Sequence, residues 1–164
     1  MLTPEQVADY FLRLVDEDAG DSISNLKLQK LVYYAQAWHL ALTSKPLFAE
    51  DIEAWAHGPV VPSLYQKYRA FGWEPIHQEV WEPAAIPRPE NEAARIPERT
   101  TGILDEVWEA YGQFTAKRLE ELTHSEAPWR DARARHNCSS GDWCDEVITK
   151  KEMKEFYRKR ATDS

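Results

Sequence analysis

Residues 26–42 constrain this chain more than any other stretch. Leu28, Leu31, Val32, Ala35 and Leu42 recur at helical spacing on one face, with His39 inside the same stripe. Tyr33, Tyr34, Trp38 and Leu40 carry apolar character nearly all the way round. A helix that is apolar on most sides must be surrounded by other elements. The pattern therefore predicts a central helix, starting after Ser24 or Asn25 and running to about Leu42. The rest of the chain must wrap it. At 164 residues, 43% of them hydrophobic, with seven Trp and seven Tyr, the chain has the material for one such domain, 1–164.

The wrapping elements announce themselves by their ends. Thr3, Pro4 and Gln6 spell the N-cap, N1 and N3 of a first helix bearing Val7, Phe11, Leu14 and Val15. Ile52 to Ala56 alternates like a short strand and is broken by His57-Gly58-Pro59. Pro62 then opens a third helix with Leu64, Tyr65, Tyr68 and Phe71 before Gly72. Five prolines between 75 and 97 forbid a continuous helix there. They predict a short edge strand at Ile76 to Trp81 and a surface excursion over 83–99. Helical spacing resumes at about 101 with Ile103, Leu104, Val107, Trp108 and Tyr111. A helix capped by Thr115 and another from about Ala127 to Arg135 follow. Thr149 and Glu152 start a last one, a basic C-terminal helix over 149–161. The expected class is mainly α: a compact multi-helix domain around a buried helix, with a small antiparallel hairpin or sheet.

Charge and motifs narrow the function. The net charge of −8 argues against nucleic acid as a general partner, because phosphate binding needs surplus Lys and Arg. No apolar run approaches the ~20 residues of a membrane span, and the N-terminus lacks signal-peptide character; a cytoplasmic protein without a membrane partner is expected. No nucleophile elbow, phosphate-binding glycine loop, H-E-x-x-H or dinucleotide pattern occurs, so no catalytic residue and no cofactor is assigned. His136, Cys138 and Cys144 offer three ligand types, but the C-x5-C spacing does not suit a zinc knuckle. No metal is assigned, and two reduced thiols in a polar turn are expected. His39, on an apolar face, reads as a satisfied core histidine. Residues 150–160 hold six cations against two carboxylates on an otherwise acidic body. Met153, Phe156 and Tyr157 form a narrow stripe that docks this helix and leaves Lys154 and Arg158 outward, to steer a partner.

Three blocks resemble the Panacea domain, the family of the SocA-type antitoxins. They are Ile23 to His39; Pro46 to Phe48 with Ile52 to Pro62 and Leu64-Tyr65; and Leu119 to His124 with Pro128-Trp129. The resemblance implies an antitoxin that neutralises a cognate protein toxin by direct binding. It also implies an adaptor that presents the toxin to an AAA+ protease, as the SocA-type member does. It names neither the toxin nor the oligomeric state, and leaves room for a homo-oligomer. Aromatic anchors dominate protein interfaces, and a Gly-Pro turn preorganises a binding loop. The candidate toxin-binding residues are therefore Trp38, His39, Trp55, His57, Gly58, Pro59, Tyr65, His124 and Trp129, with Lys154 and Arg158. Two other classes stay open. A nucleic-acid-binding regulator would use the 150–160 helix, and an enzyme acting on the toxin or a nucleotide would use His39, His57 or His124.

Overall fold

A computed structural model describes residues 1–77, 96–139 and 141–163. Among these are seven α-helices and a three-stranded antiparallel sheet: α1 (Pro4–Leu14), α2 (Asn25–Thr43), β1 (Ile52–Trp55), β2 (Gly58–Val60), α3 (Pro62–Tyr68), α4 (Glu98–Tyr111), α5 (Ala116–His124), α6 (Ala127–Arg135), β3 (Val147–Ile148) and α7 (Lys150–Asp163).

The central helix is α2, packed against α1, α3, α4, α5, α7 and β2. Leu28, Leu31, Val32, Tyr33, Tyr34, Ala35 and Ala37 are all buried in it. So are the amides of Gln29 and Gln36, which pin the neighbouring chain. The Gln36 amide donates to the Phe48 carbonyl at 2.8 Å and accepts from the Leu47 N–H at 2.7 Å. The Gln29 side-chain oxygen accepts from the Val61 N–H at 3.0 Å. A helix surrounded on all sides thus fixes its loops by hydrogen bonds as well as by burial.

The caps form as the sequence predicts. Thr3 and Gln6 close a reciprocal capping box, Thr115 accepts from the Arg118 N–H, and Thr149 accepts from the Glu152 N–H. Two boundaries differ, and the sheet gains a strand. α3 ends at Tyr68 and a 3₁₀ turn, Arg69–Phe71, precedes Gly72. α4 begins at Glu98, which shortens the expected excursion, since Pro97 serves as its N-cap. The sheet has order β2-β1-β3, with Glu53 opposite Val60 and Ile52 opposite Ile148. β3 has only two residues, too few for an alternating pattern to announce it. Residues 78–81 of the expected edge strand and 83–95 of the excursion lie outside the described residues; Ile76 itself is buried, its N–H donating to the Ile23 carbonyl at 2.8 Å.

The cysteines overturn the expectation of free thiols. Cys138 and Cys144 form a disulfide, with Cα atoms 6.1 Å apart. Three-ligand metal clusters do not occur among the described residues, nor is any described helix long and apolar enough to cross a membrane.

Candidate functional site

The turn between β1 and β2 closes over a buried lysine. Gly58 has φ +112°, a conformation L side chains rarely adopt. A Cβ there would stand 2.5 Å from Lys30 Cε and 3.1 Å from Thr123 Oγ1. Glycine is therefore what lets α2 and α5 approach the turn backbone. Lys30 is fully buried, and its Nζ donates to the Pro59 carbonyl at 3.3 Å. Burial pushes its amine down to about 7, against the opposing pull of Glu120. Glu120 accepts from His57 Nδ1 at 2.9 Å, and the His57 ring stays exposed at the tip of the turn.

Helices α5 and α6 latch this turn to the sheet. The His124 ring lies flat on Trp129, centroids 3.8 Å apart and planes 10° from parallel. Trp129 Nε1 donates to the Trp55 carbonyl at 2.8 Å. Arg133 covers the indole at 5.0 Å and donates to the Ala54 carbonyl at 2.9 Å. The buried Nε2 of His124 has no hydrogen-bond partner among the described residues. Burial lowers the His124 pKa, Lys30, Arg133 and His57 add to the effect, and Glu120 opposes it.

Lys30 makes stability depend on pH. The unfolded chain holds the lysine proton up to about pH 10.4, whereas the folded one releases it near 7. In that window the unfolded state binds more protons, so this contribution to stability rises with pH. Lys30→Met should flatten the rise between pH 7 and 10 by up to about 1.4 kcal/mol per pH unit. Urea unfolding at pH 7, 8 and 9 checks it; parallel profiles for variant and wild type would contradict it.

The structure gathers seven of the eleven sequence candidates. Trp55 packs edge-on to Tyr65 at 5.1 Å and donates its Nε1 to Glu53. Both rings are half-buried, Gly58, Pro59 and Trp129 are buried, and His57 is exposed. The other four lie elsewhere. Trp38 donates to the Tyr111 hydroxyl at 2.9 Å, and His39 donates its Nδ1 to the Lys45 carbonyl at 2.7 Å as α2 ends. On α7, Met153 and Tyr157 are buried as the stripe requires, but its cations do not all face outward. Arg158 donates to the Ala41 carbonyl and to Ser44 Oγ, and Lys150 donates to the Ala49 carbonyl. Lys154 is half-buried, with no polar partner among the described residues.

Sequence spacing left out Lys30, Glu120 and Thr123 from this site. It also left out a second buried cluster. Glu126 Oε1 accepts from the Tyr34 hydroxyl at 2.6 Å and the Tyr157 hydroxyl at 3.0 Å, while Oε2 accepts from Arg160 at 2.6 Å. Lys30 carried a usable signal: a helix apolar on most sides has no solvent face for every lysine. Glu126 carried none, because a carboxylate before a helix reads as an ordinary exposed cap.

The disulfide supports the same latch. Its loop offers the Ser139 and Asp142 carbonyls to Arg133 Nη2, each at 2.7 Å. Closing a loop with sequence separation 6 stabilises by about 2 kcal/mol through the unfolded chain. Dithiothreitol should therefore lower the melting temperature of the wild type and leave a Cys138→Ser/Cys144→Ser variant unmoved. Equal melting of reduced and oxidised wild type would contradict this.

Comparison with known proteins agrees with the sequence blocks that meet here. The family model described as "Antitoxin SocA-like, Panacea domain" matches residues 28–130, more than half of the chain. Antitoxin SocA of Caulobacter vibrioides (strain NA1000 / CB15N) is 46% identical over 50 residues, which are 30% of this chain and 27% of that protein. The match thus spans about a quarter of that relative's length. No solved structure matches the chain.

Proposed function

Because the chain belongs to the SocA-like Panacea family of antitoxins, we propose that it neutralises a cognate protein toxin by direct binding, through the face around the Gly58–Pro59 turn. One observation carries the choice of face. The turn is locked from beneath by Lys30 and α5, yet it presents His57 to solvent beside the half-buried Trp55–Tyr65 pair. A rigid loop with aromatic neighbours binds at low ordering cost. Presentation of the bound toxin to an AAA+ protease, in the cytoplasm, is the accompanying proposal from the family resemblance.

The competing classes find less support. Of the three histidines an enzyme would use, His57 and His124 lie near Glu120, but His39 is apart on the Lys45 carbonyl, and Lys30, the amine tuned towards neutrality, is 0% exposed. A nucleic-acid reader would need a surplus of cations, but the chain carries −8 overall, and on α7 Arg158 and Lys150 bind backbone carbonyls of the body and Arg160 binds Glu126, which leaves Lys151, Lys154 and Lys159.

The test is a titration. The product of the adjoining reading frame, assayed for toxicity, should be silenced at a fixed molar ratio of this protein. Silencing by far smaller amounts without any protease would indicate an enzyme. No silencing at any ratio would overturn the proposal.

A further inference from the structure

Beside His57 lies a groove that the sequence candidates did not include. Trp73 is 77% exposed and Phe114 is 36% exposed. Both line one groove of about 320 Å³, with Asp21, Ser24, Lys27 and Pro75 in its walls. The Trp73 indole stands edge-on to the His57 ring, centroids 6.3 Å apart at 84°. The groove is therefore continuous with the turn proposed above to meet the toxin.

The aromatics are exposed but their backbone is held. The Gly72 N–H donates to the Arg69 carbonyl and the Glu74 N–H to the Phe71 carbonyl, each at 3.0 Å. Pro75 then bridges to Ser24. The Phe114 N–H donates to the Tyr111 carbonyl at 3.1 Å, next to the Thr115 cap of α5. A large indole left in water on a fixed backbone forfeits the stabilisation its burial would give. The same arrangement is what a binding anchor needs, since little freedom remains to be lost.

Charge indicates what the groove accepts. Asp21 lines it, and the turn leading to it carries Asp16, Glu17 and Asp18, with no cation between residues 16 and 24. Lys27, in the wall, turns its ammonium inward onto the Gly112 carbonyl at 2.7 Å. The His77 ring lies 3.7 Å from Glu17, and Arg118 pairs with Glu121 at 3.9 Å while lying 5.9 Å from the Phe114 ring. Asp21 and the acidic turn thus place carboxylates at one end of the groove, on a chain whose net charge is −8.

We propose that this groove docks a basic segment of the toxin, with an arginine guanidinium stacked on Trp73 and facing Asp21 and the acidic turn. Arginine fits this better than lysine because its planar group stacks on an aromatic face and pairs with carboxylates at once. The proposal rests on the reading of the chain as a toxin-binding antitoxin and adds the chemistry of the partner's contact.

The experiment titrates the full-length protein with the product of the adjoining reading frame, at low and high salt. Trp73→Ala should weaken binding by about tenfold or more, with unchanged melting because the indole touches solvent on most sides. Phe114→Ala should weaken it less. Asp18→Lys should slow association at low salt, with the difference shrinking as salt screens the charges. In the partner, one arginine-to-alanine variant should lose affinity non-additively with Trp73→Ala. Wild-type affinity in Trp73→Ala overturns the groove while leaving toxin binding intact. Faster association of Asp18→Lys overturns the basic chemistry. A wild-type dimer that Trp73→Ala dissociates, with toxin affinity unchanged, overturns it in favour of a second copy. If the wild type binds no toxin at all, the parent reading falls together with this one.

Discussion

Gly58→Ala should lower the unfolding free energy by about 2–5 kcal/mol and weaken toxin binding in parallel. Two effects combine. The backbone at φ +112° strains any residue with a Cβ, by about 1–3 kcal/mol. The new methyl would also stand 2.5 Å from Lys30 Cε. A lysine end on a surface would swing away, but Lys30 is fully buried, so the overpacking adds about 1–3 kcal/mol. Against this, alanine's lower entropy in the unfolded chain returns only about 0.4–1 kcal/mol. Strain and clash can be separated. Lys30→Ala placed in the Gly58→Ala background removes the clash but not the strain, so it should cost less there than in the wild type. Denaturant unfolding of the four proteins measures the coupling. A Gly58→Ala variant as stable as the wild type would mean that the turn is not locked from beneath, and the case for a preorganised binding face would fail with it.

Much of the fold was legible because it is set locally. Side chains and backbone at Thr3, Ser24, Thr115 and Thr149 decide where helices start, and each caps its helix in the structure. The apolar girth of α2 made it central, and it is packed on every side. What was not legible depends on elements far apart in sequence. β3 exists because Val147 and Ile148 reach the free edge of β1, a pairing across about ninety residues that two residues cannot advertise. The candidate site was half legible for the same reason. His57, Gly58, His124 and Trp129 stood out as residue types, but Lys30 and Glu120 become part of the site only when α2, α5 and the turn converge. Arg158 illustrates the converse. Its spacing on α7 read as an outward charge, and the end of α2 supplied acceptors that only the tertiary fold brings near.

Glu126 gives the second large effect. Its carboxylate is 2% exposed and joins three elements: Tyr34 on α2, Tyr157 and Arg160 on α7, and its own position as N-cap of α6, with the Tyr157 hydroxyl also 3.0 Å from Tyr33. Burial raises its pKa, while Tyr34, Tyr157 and Arg160 pull it back down. An acid whose folded pKa is raised stabilises less as pH climbs through it, so the charge itself is a cost and the hydrogen bonds are the gain. That separates two substitutions. Glu126→Ala takes the acceptor from the buried Tyr34 hydroxyl, leaves the Tyr157 hydroxyl only Tyr33, removes the partner of Arg160 and should cost about 3–5 kcal/mol. Glu126→Gln keeps a carbonyl oxygen for both hydroxyls and removes the buried charge. It loses only the partner of Arg160, whose side chain is 51% exposed and can turn to water. Its cost should be about 1 kcal/mol. Thermal and urea unfolding of the two variants at pH 7 distinguish the accounts. If glutamine costs as much as alanine, the ion pair with Arg160 holds α7 to the body. If alanine costs as little as glutamine, the tyrosines find other acceptors, and α7 is held by the burial of Met153 and Tyr157 together with the Arg158 and Lys150 hydrogen bonds.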